Sequence, residues 1–177
     1  MTIHSIHIFD RKGATLFTKT YSRAASKQEL HLQQTGTAEP GASPLDEQRK
    51  LVFGMLFSLR EIIGKLTPVD DNSALHSVQT GAATLHSFET MNGLRFALFT
   101  SNDVPSSKTS TRPTKYDSDT TTARDALRHI YAKIWVESVV RSPLYNAKNL
   151  NMDVVGSTTF EKNLDEYVTA LPWAREF

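Results

Sequence analysis

Leu51-Val52-Phe53-Gly54-Met55-Leu56-Phe57-Ser58-Leu59-Arg60-Glu61-Ile62-Ile63-Gly64-Lys65-Leu66 is the stretch on which the fold turns. At about 100° per residue, Val52, Met55, Leu56, Leu59, Ile62, Ile63 and Leu66 gather on one side of a helix, a stripe wide enough to cover a sheet. The helix is predicted over 45–66. Asp46 and Glu47 suit the positive end of its dipole, Lys65 suits the negative end, and Thr67-Pro68 stops it. Phe53 and Phe57 fall on a different face, one turn apart, with Arg49, Arg60 and Gly64 beside them. Two rings on that face would meet water in a lone chain. Aromatics with neighbouring arginines have the composition of interface anchors, and Gly64 would let a partner backbone approach closely. Arg49, Phe53, Phe57, Arg60 and Gly64 are therefore the candidate subunit-interface residues. Rings folded back under a loop of the same chain are the competing reading.

On the N-terminal side, residues 3–9 and 14–21 are β-branched and aromatic, and Asp10-Arg11-Lys12-Gly13 between them has turn chemistry, which predicts a hairpin. On the C-terminal side, strands are predicted over 74–80, 84–90 and 94–101, with Asn92-Gly93 suited to a type I′ turn before the last. Phe96-Ala97-Leu98-Phe99 runs unbroken, so both faces of that strand should be covered, as in the middle of a sheet. Helices over 122–141 and 157–171 follow. In the first, Leu127, Ile130 and Ile134 make one stripe, while Trp135, Val136, Val139 and Val140 spread beyond it, a surplus that the last helix should partly cover. Residues 22–44 and 102–121 are polar and poor in large apolar side chains, and are expected to be flexible insertions in a single domain, 1–177. The order β-β-α-β-β-β-α-α is met by an α/β (α+β) sandwich: a five-stranded antiparallel sheet with one helix on one face and two on the other.

Composition excludes several chemistries. There are 177 residues, a net charge of +1 and no cysteine, which removes disulfides, thiol nucleophiles and cysteine zinc sites and points to a reducing compartment. Near-neutral charge argues against nucleic acid as a partner. No apolar run approaches the roughly 20 residues of a membrane span, and Met1-Thr2-Ile3-His4 opens without a basic or apolar leader, so membrane contact is expected only through partners or added lipid. Neither a phosphate-binding glycine loop nor a nucleophile elbow occurs, so no catalytic, cofactor-binding or metal residues are assigned. His4 and His7 point to opposite faces of a strand, His76 and His86 could meet across adjacent strands but lack a third ligand, and Asp125 and His129 lie one helical turn apart as a structural pair.

The run 51–60, ending in Lys65-Leu66-Thr67-Pro68-Val69-Asp70, resembles the subunit 1 family of the TRAPP (trafficking protein particle) vesicle-tethering complex. So do Ile8-Phe9-Asp10-Arg11, Arg124-Asp125-Ala126-Leu127-Arg128-His129-Ile130-Tyr131 continuing to Pro143-Leu144, and Leu164-Asp165-Glu166-Tyr167-Val168 with Leu171-Pro172. The two polar stretches depart from the family by being longer. The resemblance implies a longin-like (SNARE-like) fold. It also implies pairing with a second longin-type subunit and with a subunit of the other TRAPP fold type, and indirect action on the Rab GTPase of the early secretory pathway. The chain would be a scaffold without catalysis of its own, cytoplasmic and peripheral at ER-to-Golgi membranes and the cis-Golgi. Two other classes are weighed against it. Another longin module, such as a coat-adaptor chain or a SNARE head, would differ in its surroundings; a SNARE needs a heptad helix and anchor, which are not expected here because the sequence stops at Phe177. An unrecognised enzyme would need an acid, base or nucleophile cluster.

Overall fold

A computed structural model of the chain describes residues 2–21, 44–66, 74–81, 83–102, 116–142 and 158–173. Strands β1 (Ile3–Phe9) and β2 (Thr15–Thr20) precede helix α1 (Pro44–Leu66). Strands β3 (Ser77–Gln79), β4 (Ala83–Glu89) and β5 (Arg95–Ser101) follow, then α2 (Tyr116–His129), which widens into a π-helix over Ile130–Val140, and α3 (Thr158–Ala170). The two polar stretches lie mostly outside the described residues. Of the second, residues from 116 onward are helical, so α2 starts before the expected 122.

All pairings are antiparallel and the strand order is β2-β1-β5-β4-β3. β5 is thus central, as its unbroken apolar run requires. β1 reaches it through Ile6↔Leu98 and Ile8↔Phe96, a long-range pairing that ties the N-terminal hairpin to the last strand. The two hairpin turns are built alike. Gly13 N–H donates to the Asp10 carbonyl (3.2 Å) and Gly93 N–H to the Thr90 carbonyl (2.9 Å), with the glycines at φ 91° and 81°. Asp10 Oδ1 also accepts from the Lys12 and Ala14 amides (2.7 and 2.9 Å), which explains an aspartate there. Thr90 N–H donates to the Leu94 carbonyl (2.9 Å), so the second loop has three residues, Met91-Asn92-Gly93, instead of the two-residue type I′ turn expected from Asn92-Gly93. The strand predicted over 74–80 shortens to Ser77–Gln79, at the sheet edge.

Alternation along the strands divides the core. Ile6, Ile8, Phe96 and Leu98 point to the side covered by α2, the π-helix and α3, where Leu127, Ile130, Ile134, Trp135, Val139, Phe160, Leu164 and Val168 complete the larger cluster. Phe9, Leu85 and Ala97 point to the opposite side, where Leu56 is buried with them and Val52, Phe53 and Met55 pack alongside. One helix on one face and two on the other is the expected sandwich.

The π-helix accounts for the surplus apolar residues. Arg141 N–H donates to the Val136 carbonyl five residues back (3.0 Å). Ile130, Ile134, Trp135 and Val139 are buried at intervals that suit this wider coil and not a 3.6-residue one. Trp135 therefore enters the core, edge-on to Phe96 (6.0 Å) and Phe160 (5.6 Å). Lys19 fastens β2 to α3 through Glu161 (2.5 Å) and Asp165 (2.7 Å).

Candidate functional site

Helix α1 carries the candidate interface. Its 23 residues span about 35 Å, whereas five strands about 4.8 Å apart make a sheet about 19 Å wide, and a seven-residue strand runs about 23 Å. The helix therefore outruns the sheet in either direction. Leu56 and the half-buried Val52, Met55, Leu59 and Ile63 rest inward. Ile62 and Leu66 of the predicted stripe do not: they are 52% and 79% exposed, and Leu51 is 74% exposed. These three lie within about a sixth of a turn of one another, a seam along the flank of α1 that also carries the inward-resting Met55.

The two phenylalanines behave differently. Phe53 was expected on the outward face, but it packs inward, its ring 5.6 Å from Phe9 and capped by the Arg95 guanidinium at 5.1 Å. Gly13 makes room for it: a Cβ on that glycine would stand 2.6 Å from the Phe53 ring. A missing side chain forty residues upstream is a signal that helical spacing does not carry. Phe57 stays outside, 51% exposed, and stacks on Phe53 at 6.4 Å. The structure therefore brings Phe53 and Phe57 into contact, one as anchor in the fold and the other as its exposed continuation.

Of the flanking residues, Arg49 pairs with Asp46 one turn back (2.9 Å) and Arg60 reaches Glu89 at the end of β4 (3.0 Å). Gly64 meets open space, with no atom within 4 Å of where its Cβ would be. That leaves an open notch on the face of α1 that carries Phe57, away from the seam. Leu51, Ile62 and Leu66 were not singled out from the sequence because they sat in, or next to, the stripe assigned to the sheet. Comparing helix length with sheet width would have exposed the overhang.

Beneath α1, His7 is almost wholly buried. It lies parallel to Phe9 at 6.0 Å and edge-on to Phe99 at 5.8 Å. Its Nε2 is 3.0 Å from Ser5 Oγ and its Nδ1 3.3 Å from Thr18 Oγ1. Burial, reinforced by the Arg49 charge, pushes its pKa down to about 4, so the ring is neutral and structural. β-strand register separates the other histidine pair: Ser77 stands opposite His86, so His76 faces the other side of the sheet. Asp125 pairs with Arg128 (3.6 Å), and His129 stacks on Tyr167 (4.5 Å) instead of meeting Asp125. Among the described residues no three His, Asp or Glu side chains converge on a metal position, and no helix is long and apolar enough to cross a membrane. What the described residues present is large apolar side chains exposed along α1.

Comparison with known proteins agrees with this architecture. The chain is similar to Trafficking protein particle complex subunit 1 of Rattus norvegicus, 32% identical over 173 residues that cover 98% of this chain and 96% of the relative. The protein of the same name from Homo sapiens is 31% identical with the same coverage. Trafficking protein particle complex subunit BET5 of Saccharomyces cerevisiae is 30% identical over 151 residues, 85% of this chain and 82% of the relative. The family model for Sybindin-like proteins matches residues 3–171, so the whole sheet and all three helices fall within it, and the chain belongs to the Sybindin-like family.

Proposed function

We propose that this protein is a non-catalytic core subunit of a TRAPP vesicle-tethering complex. It joins a second longin-type subunit and a subunit of the other TRAPP fold type through the outer side of α1, and it contributes to the platform on which the complex promotes nucleotide exchange by the Rab GTPase of ER-to-Golgi transport. The observation that carries this reading is the seam of Leu51, Ile62 and Leu66 on one flank of α1, with Phe57 exposed on another, large apolar side chains half or more exposed on one helix. Such a patch is what a subunit surface looks like before its neighbour is docked. Similarity along nearly the whole chain to proteins named as subunits of that complex supports other subunits of the complex as the neighbours.

The contribution to exchange is one of binding energy. An exchange factor favours the nucleotide-free GTPase because it binds that state more tightly, and a rigid docking platform keeps the difference large. The five-stranded sheet, covered on both faces, supplies such rigidity. The test is reconstitution: release of labelled GDP from the GTPase is measured with the chain alone, with the partner subunits alone, and with all together. Exchange is expected only from the full assembly. Activity of the chain alone, or full activity of a complex lacking it, would refute the reading.

A further inference from the structure

At one end of the sheet the two glycine turns touch. A Cβ on Gly93 would come within 2.8 Å of the Arg11 Cβ, so only glycine allows the tips this close. Beside them, residues 74–76, α1 and Arg124 of α2 border a cleft of about 600 Å³. Among the described residues four arginines line it, Arg11, Arg60, Arg95 and Arg124, against one acid, Glu89. Glu89 Oε1 is shared, 3.0 Å from Arg60 Nη1 and 3.5 Å from Arg95 Nε. Among the described residues Arg11 and Arg124 pair with no acid.

Arg95 is the unusual member. Its side chain is only 9% exposed, and its Nε and Nη1, like the Nε of Arg124, are shut off from solvent without a hydrogen bond. Buried guanidinium donors left unmet are expensive, and native structures normally satisfy them with protein, water or a ligand. His76 on the same wall has its pKa lowered by burial and by the charges of Arg124 and Arg128, so it adds a neutral ring and no compensating charge. Among the described residues that line the cleft, positive charge therefore exceeds negative.

The geometry points to an acidic peptide segment of a partner protein as the occupant, its carboxylates received by Arg11 and Arg124 and its apolar side chains by Leu75, Phe88 and the fully exposed Met91. Planar guanidinium forks match carboxylates two-on-two, and charge complementarity fixes the sign of the partner. The apolar wall distinguishes a peptide from a bare anion. This proposal stands on the cleft alone, and its failure leaves the assembly reading untouched.

The probe is a capped, fluorescein-labelled hexapeptide of alternating glutamate and leucine, titrated with the full chain and followed by fluorescence anisotropy. Its glutamine counterpart is the control. Binding of the glutamate peptide is expected, weakened at least about tenfold by Arg11→Gln with Arg124→Gln and unchanged by Lys65→Gln, outside the cleft. The double variant removes no ion pair between described residues, and an unchanged circular-dichroism melt verifies its fold. Equal binding of the two peptides, or no loss in the double variant, would overturn the proposal. Displacement by inorganic phosphate at constant ionic strength with no preference for glutamate over glutamine would overturn it too, in favour of a simple anion site.

Discussion

Lowering the pH from 7 to 4 perturbs one buried group beneath α1, His7. His7 titrates at about 4 in the folded chain against about 6.5 in an unfolded one, because its surroundings disfavour the charged ring. Between those values the unfolded state binds the extra proton, so stability rises with pH across that window and falls as the pH drops through it. The contribution is fully present above about 6.5. At about 1.4 kcal/mol per pH unit it amounts to roughly 3 kcal/mol by pH 4, a large part of a domain's usual 5–15 kcal/mol. The cation that then forms would lie among Phe9 and Phe99 and near Arg49, so the strain falls on the contact between α1 and the sheet. Urea unfolding at several pH values, on the natural chain and on His7→Gln, isolates the effect, since every other titrating group is common to both. The natural chain should lose about 3 kcal/mol more than the variant between pH 7 and pH 4. Parallel pH profiles, or an NMR titration of the His7 ring centred near 6.5, would refute the reasoning.

The same packing makes three further predictions. Gly13→Ala should destabilise by roughly 2–4 kcal/mol in urea unfolding, since it combines a φ of 91° with a Cβ 2.6 Å from the Phe53 ring, whereas Gly64→Ala, in open helix, should stabilise the isolated chain by up to about 1 kcal/mol. Phe53→Ala should lower stability by about 2–3 kcal/mol and Phe57→Ala by less than about 1, in place of the equal, small losses that two equally outward rings would give. Lys19→Met should cost about 1 kcal/mol or less at low salt and still less at high salt, read from thermal melts, because its two carboxylate partners are 51% and 42% exposed. Burial works against the Lys19 ammonium, but the hydrogen bonds and charges of Asp165 and Glu161 outweigh it and raise its pKa.

Periodicity made the sandwich legible, and local geometry limited the site. Alternation in β1 and the unbroken Phe96–Phe99 run identify a sheet covered on both faces, and the charge bias at the ends of α1 marks its limits to within a residue. Misplacement began where a regular period was assumed. The widening over Ile130–Val140 draws Trp135 and Val139 into the core, which a 3.6-residue wheel scatters. Phe53 turns inward because Gly13, remote in sequence, leaves a hole that its ring fills. Ile62 and Leu66 turn outward because the helix is longer than the sheet beneath it. Both errors concern contacts between elements, which a wheel drawn on one element does not contain. The arginine cleft was illegible for the same reason: Arg11, Arg60, Arg95 and Arg124 come from four separate segments, and only the fold assembles them.

Amide hydrogen exchange on α1, with the chain free and then mixed with the other small subunits of a TRAPP complex, measures most directly whether this helix is built to be covered. Exchange at residues 51–66 should slow markedly on mixing, and Leu51→Ser with Ile62→Ser and Leu66→Ser should abolish the slowing while leaving the melt of the free chain nearly unchanged. Unaltered exchange along α1 in a mixture that nonetheless forms a stable complex would contradict the account.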